Sequence, residues 1–276
     1  MNDLRPALEI DAQKYGSAPP AGEDLHSRFT SVRTRTFDLA RPLSDEDCCV
    51  QSMPEASPVK WHLGHTTWFF ETFVLEKYEQ SFRPFLPVFR MLFNSYYNGI
   101  GEKQPRAQRG LLTRPALLEV LLYRKKVNER MARIFARCGE DEAFRALVDL
   151  GLHHEQQHQE LILTDIKHLL SVNPLKPAYH AQEDEDGAPG TGIEWLAFEG
   201  GLVEIGNGGA GFCFDNETPR HKQYLNPYAL ASRLVTNGEY LDFITDGGYH
   251  DPRLWLSEGW DWVQANRIAH PVYWER

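Results

Sequence analysis

The chain has no apolar run of about 18 residues, the length a bilayer-spanning helix needs. Its polar start, MNDLRPALEIDAQKYG, lacks the apolar segment of a secretory signal. A cytoplasmic location is therefore the default expectation, with no membrane partner. Cysteine is scarce: Cys48, Cys49, Cys138 and Cys213 form neither CxxC nor a paired zinc-type spacing, so we expect free thiols and no disulfide framework. Positive charge is also short, with 29 Lys and Arg against 39 Asp and Glu and a formal net charge of -10. A phosphate backbone needs clustered basic residues, and here they are scattered among acids, which argues against a nucleic-acid partner and for small-molecule chemistry. No internal repeat is visible either.

What is present divides in two. The first two thirds read as helices. Residues 23–40 have helical character, and the Pro54 to Pro58 region interrupts it. PVKWHLGHTTWFFETFVLEKY then predicts a helix over 58–78, with Ser57 as N-cap, Pro58 in the first helical position and a buried stripe of Val59, Leu63, Thr66, Phe70, Phe73 and Val74. Residues 83–114, rich in Pro, Gly, Asn and aromatics, read as a long ordered connection. Helices follow over 115–138, closing at Gly139, and from Asp141 to about Leu170, before Pro174. Four long helices with one long crossover predict a four-helix bundle over 1–178. The acidic, glycine-rich HAQEDEDGAPGTG marks a linker, taken as 179–194. Residues 195–276 predict an irregular α+β domain, with two short strands around Gly200 and Gly201 and one helix near Thr236 to Thr245.

Chemistry concentrates in LGLHHEQQHQELILTDIKHLL, residues 150–170. On a helix His154 and His158 lie one turn apart, about 40° around the axis, so both imidazoles can reach one ion. Leu161, Ile162 and Leu169 share their side, which turns the pair inward. Asp165 lies on that face and could hydrogen-bond a ligand imidazole from behind. His153, Gln156 and Gln159 point elsewhere. The string HExxH also suggests a zinc protease with Glu155 as general base, but no clear third ligand follows downstream. A third ligand must come from another helix, and WHLGH offers His62 and His65, between which periodicity does not choose. Three neutral imidazoles without a carboxylate suit Zn, Fe or Cu.

Three segments carry a resemblance to a known family: SPVKWHLGHTTWFFETFVL, FNSYYNGIGEKQPRAQRG and HHEQQHQELILTDIKH. They resemble the sulfoxide synthases of ergothioneine biosynthesis (EgtB). FCFDNETPRHKQYLNPYALASRLVTNGEYLDFI looks like the opening of that family's second domain. The resemblance implies a DinB-like four-helix bundle followed by a domain like formylglycine-generating enzyme, of sulfatase-modifying-factor and C-type-lectin-like type. It implies Fe(II) on His65, His154 and His158, and O2-dependent joining of a thiol to hercynine with oxidation of the sulfur to a sulfoxide. It further implies that Gln157 contacts hercynine, and that Arg106 and Arg109 hold carboxylates of the sulfur substrate. Guanidinium groups suit that task through their planar paired donors. Tyr96 and Tyr97 resemble the branch that takes free cysteine rather than γ-glutamylcysteine, where a tyrosine of this loop is the active-site phenol.

In the family the second domain is much longer, so the chain is expected to be an N-terminal fragment or truncated form, with residues 195–276 poorly stable alone. The three ligands all precede residue 160. Alternative readings are an ovothiol-type synthase using histidine and cysteine, a DinB-type metal-dependent thiol transferase, and a truncated remnant without turnover. The sequence leaves the oligomeric state open.

Overall fold

The computed structural model describes residues 24–180, 191–209 and 211–275. They form two compact units, one of residues 24–180 with 206–209 and 211–220, the other of 191–205 and 221–275. Residues 181–190, most of the expected linker, lie outside the described residues.

The first unit is helical. α1 (Leu25–Ala40) starts at Asp24, whose carboxylate accepts from the backbone N–H of His26, and buries Leu25, Phe29, Val32, Thr36 and Leu39 at helical spacing. α2 (Val59–Phe69) runs into a π-helical turn, Phe70–Leu75, and then α3 (Glu76–Tyr78). The expected single helix over 58–78 is thus present but widened midway. The expected N-cap is corrected: Ser57 does not cap, because its N–H donates to Asp165 Oδ2 at 2.9 Å and its hydroxyl accepts from Arg109 at 2.9 Å.

The expected stripe on this helix is also too narrow. Every residue from Val59 to Leu75 is buried, so the segment is a central strut rather than an amphipathic face. α4 (Phe89–Leu92) and a 3-10 turn, Arg106–Leu111, lie in the crossover. α5 (Leu117–Cys138) and α6 (Glu142–Val172) complete the bundle, and Asp141 caps α6 by accepting from Phe144 N at 2.7 Å. α1 packs on α6, and α2 packs on both α5 and α6.

Two glycines allow the close approach. A Cβ on Gly64 would fall 2.2 Å from the Phe93 ring, and one on Gly151 of α6 would fall 2.7 Å from Phe70. Polar groups drawn inside with the strut are satisfied in kind. Glu155 accepts from Arg33 at 2.9 Å, from Thr36 at 2.6 Å and from Arg124. Glu71 accepts from the Tyr123 hydroxyl at 2.7 Å and from the N–H of Phe85 at 2.8 Å.

The second unit holds β1 (Trp195–Phe198), β2 (Gly201–Ile205), β3 (His221–Leu225) and β4 (Tyr228–Ala231). β1 pairs antiparallel with β4, and β2 with β3, in registers Trp195 with Ala231 and Gly201 with Leu225. α7 (Asn237–Thr245) begins at a capping box of Thr236 and Glu239, and α8 (Ser257–Asn266) follows. Sequence reading anticipated β1, β2 and α7. It missed β3, β4 and α8, short elements whose mostly exposed side chains leave no apolar period to detect. Among the described residues no helix is long and apolar enough to cross a membrane.

Candidate metal centre

His65 on α2 meets His154 and His158 on α6. One ligand nitrogen of each lies within 4.8 Å of the others, and all three residues are buried. His65 Nε2 and His154 Nε2 are 3.2 Å apart. Two imidazole nitrogens each about 2.1 Å from one ion, and roughly at right angles, would stand about 3 Å apart. The ring centroids are 5.0 Å apart for His65 and His154, 4.6 Å for His65 and His158, and 4.6 Å for His154 and His158.

Each ring is fixed from behind. His65 is stacked between Trp61 at 4.6 Å and Trp68 at 5.5 Å, indoles one turn before and after it on α2. Its Nδ1 bonds the carbonyl of Phe93 at 2.7 Å. A carbonyl only accepts, so Nδ1 carries the hydrogen and Nε2 presents a lone pair to the cluster. His158 Nδ1 lies 2.8 Å from His62 Nδ1, and His62 Nε2 lies 3.0 Å from Asp165 Oδ2. His154 packs against the Phe69 ring at 5.0 Å, and its buried Nδ1 has no hydrogen-bond partner.

Burial dominates the electrostatics. It pushes His65 and His158 well below the ordinary imidazole range, with the neighbouring imidazoles adding to the shift, and lowers His154 to about 4. Burial likewise lowers His62, partly opposed by the Asp165 hydrogen bond. All four rings are thus neutral near pH 7, the protonation state a metal ligand needs. Three buried, neutral imidazoles fit a divalent metal of Zn, Fe or Cu type.

Glu155 takes no part. Burial would raise its carboxyl, but Arg124 and Arg33 outweigh burial and hold it at about 2. Locked between two guanidiniums, it is no general base, which removes the protease reading of HExxH.

The other predicted residues fall at graded distances. Arg109 is buried with its guanidinium 3.3 Å from the centroid of Trp61, the ring that stacks on His65. It donates to Ser57 Oγ at 2.9 Å and Ser95 Oγ at 3.1 Å, and its Nε is buried without a partner. Burial, then the charge of Arg106, lowers it to about 10. Arg106 itself is exposed, so the expected arginine pair splits into one inner and one outer member.

Tyr97 packs on Trp68 at 5.5 Å and Phe73 at 5.2 Å, one ring removed from His65, while Tyr96 stacks on it at 4.7 Å and is 64% exposed. Gln157 is exposed on α6, between the turns that carry His154 and His158. Asp165 meets no cluster histidine directly; the expected contact to a ligand imidazole passes through His62. His62 is the residue sequence reasoning missed as a support: WHLGH showed it, but only as a rival ligand. His153 stacks on Phe212 at 3.8 Å and His168 bonds Ser52 Oγ at 2.8 Å, both away from the cluster.

Comparison with known proteins agrees with this architecture. The family model of the DinB superfamily matches residues 28–162, and that of the sulfatase-modifying factor enzyme 1-like domain matches 182–274. A hercynine oxygenase of Mycobacterium tuberculosis is 28% identical over 254 residues, covering 91% of this chain and 57% of the relative. Hercynine oxygenases of Mycolicibacterium thermoresistibile and Mycolicibacterium smegmatis are each 28% identical, covering 94% and 92% of the chain and 56% and 58% of those proteins. The chain thus spans little more than half the length of the curated relatives it matches. Both domains are matched in order and the similarity runs through nearly all of the chain's residues, which supports an EgtB-family protein.

Proposed function

We propose that the chain is the metal-bearing part of an iron-dependent hercynine oxygenase that joins a thiol, cysteine or γ-glutamylcysteine, to hercynine and oxidises the sulfur. The observation that carries this reading is the buried cluster of His65, His154 and His158 in a chain similar to proteins named hercynine oxygenase. Iron(II) held by these three nitrogens would activate dioxygen and gather both substrates at bonding distance.

The chain's own groups do the rest. Trp61 and Trp68 hold the His65 ring in one plane, so the ligand does not have to be oriented at the moment of binding. Arg109, cationic and with a buried Nε–H that has no partner, is assigned to a substrate carboxylate, with exposed Arg106 as the outer clamp. Gln157, exposed one turn from His154, is assigned to hercynine. Tyr97 is assigned as the phenol nearer the cluster and Tyr96 as the outer ring of the pair, which favours free cysteine as the thiol.

Adding oxygen to the anaerobic Fe(II) protein with hercynine and cysteine, with product mass as the readout, tests the reading. A sulfoxide adduct is expected. Oxygen consumption without a C–S product contradicts it. Turnover of histidine in place of hercynine would support the ovothiol-type alternative, and bound zinc with oxygen-independent thiol transfer would support the DinB-type one.

A further inference from the structure

Asp165, His62 and His158 form a directed line of hydrogen bonds whose polarity follows from its outer end. Asp165 Oδ2 accepts the backbone N–H of Ser57 at 2.9 Å, so this oxygen is an acceptor. His62 Nε2, 3.0 Å away, must then carry its hydrogen and donate to the same oxygen. A neutral imidazole protonated at Nε2 has its lone pair on Nδ1. His158 Nδ1, 2.8 Å from that lone pair, must in turn be the donor. The hydrogen of a neutral His158 is therefore fixed on Nδ1, and Nε2 keeps its lone pair. With Nδ1 engaged, Nε2 is the nitrogen left for the cluster.

His65 reaches the same state by a shorter route, its Nδ1 donating to the carbonyl of Phe93. Two helices thus supply opposite ends of one device: Ser57 and His62 sit at and just inside the start of α2, while Asp165 and His158 stand two turns apart on α6. The whole line is buried.

We propose that His62 and Asp165 are positioning residues that set the tautomer and ring orientation of His158, so that its Nε2 is ready to bind a divalent metal. The inference rests on the metal reading of the histidine cluster and goes beyond it by assigning two residues that touch neither metal nor substrate. Such partners of a ligand imidazole typically govern metal affinity by about 10- to 100-fold. His154, whose Nδ1 has no partner, has no equivalent support, which leaves the His62 line as the side-chain control of ligand state at this site.

The test needs no turnover. In the metal-free, 15N-labelled chain, long-range 1H–15N correlations of the imidazoles report which nitrogen of His158 carries hydrogen. Nδ1–H is expected in the wild type, with Nε2–H appearing in His62→Leu. Co(II), titrated as a spectroscopic probe, should bind about 10- to 100-fold more weakly to His62→Leu. Affinity should recover in His62→Asn, whose Oδ1 can accept where Nδ1 did. Asp165→Ala keeps His62 in place while freeing its tautomer, so it carries the same readouts if His62→Leu does not fold, and a weakened Co(II) complex is expected there as well. A His158 tautomer and Co(II) affinity that are unchanged in both His62→Leu and Asp165→Ala would overturn the proposal while leaving the metal centre standing. A wild type that binds no Co(II) would overturn the metal reading, and this inference with it.

Discussion

The two units bury their apolar side chains to very different degrees. In the first, α2 and its π-helical turn are enclosed on every side, and Trp68, Phe69, Phe70, Tyr123 and Phe144 are almost wholly buried. In the second, Tyr249 and Val263 are the buried large apolar residues among those described, whereas Trp195, Leu202, Leu256 and Trp262 are exposed. The histidine cluster lies in the dense unit, and that placement has a chemical reason. Burial keeps the imidazoles neutral, and close packing holds them in position before a metal arrives. The same enclosure forces buried polar groups to find partners, which yields the Glu155 and Asp165 networks.

The sharpest way to break the contrast is to remove a ligand. His65→Ala or His158→Ala should lower divalent-metal affinity by more than the roughly 10- to 100-fold expected for an outer partner. Equilibrium dialysis checks this, and affinities equal to wild type would take both residues out of the site. Next comes the ion cluster that supports the cluster's helix from the far side. Glu155→Gln leaves Arg33 and Arg124 buried without their anion, so unfolding by urea should show a loss of about 3–5 kcal/mol. A loss under about 1 kcal/mol would mean the dense unit tolerates unpaired charge.

Acid provides the third. His154, at about 4 in the fold, stands below the roughly 6.5 of an unfolded histidine, so the unfolded chain binds more protons. Metal-free stability should therefore fall as pH drops from about 6.5, with His154 alone contributing a loss of about 3 kcal/mol by pH 4. A thermal midpoint that is flat over that window would contradict a neutral buried cluster. Fourth, Gly64→Ala drives a methyl into the Phe93 ring, which is itself buried against Phe89, and should cost about 1–3 kcal/mol by denaturant titration. The smallest effect belongs to the other unit: Leu256→Ser, at a position 87% exposed, should change stability by no more than about 0.5 kcal/mol.

How far these features could be read from sequence follows the same divide. The helices of the bundle and the inward face of His154 and His158 were legible because the 3.6-residue period of α6 contrasts apolar with polar faces. On α2 that contrast vanishes, since all faces are buried, and periodicity had no means of separating His62 from His65. Their partners separate them: Phe93 in the crossover for one, Asp165 for the other. Ser57 carried the local signature of an N-cap, and a tertiary bond to Asp165 overrode it. Arg109 was visible as a cation in a loop, but its burial over Trp61 depends on how the crossover folds back. In the second unit, short exposed strands gave little periodic signal, and β3, β4 and α8 went unread.

The central claim is that three buried, neutral histidines from two helices hold one metal ion. Anaerobic equilibrium dialysis of the metal-free chain against Fe(II), at neutral pH with iron counted per chain, tests it most directly. One tightly held equivalent in the wild type, absent from His158→Ala, is the predicted result. Iron bound equally by both proteins, or by neither, would contradict it.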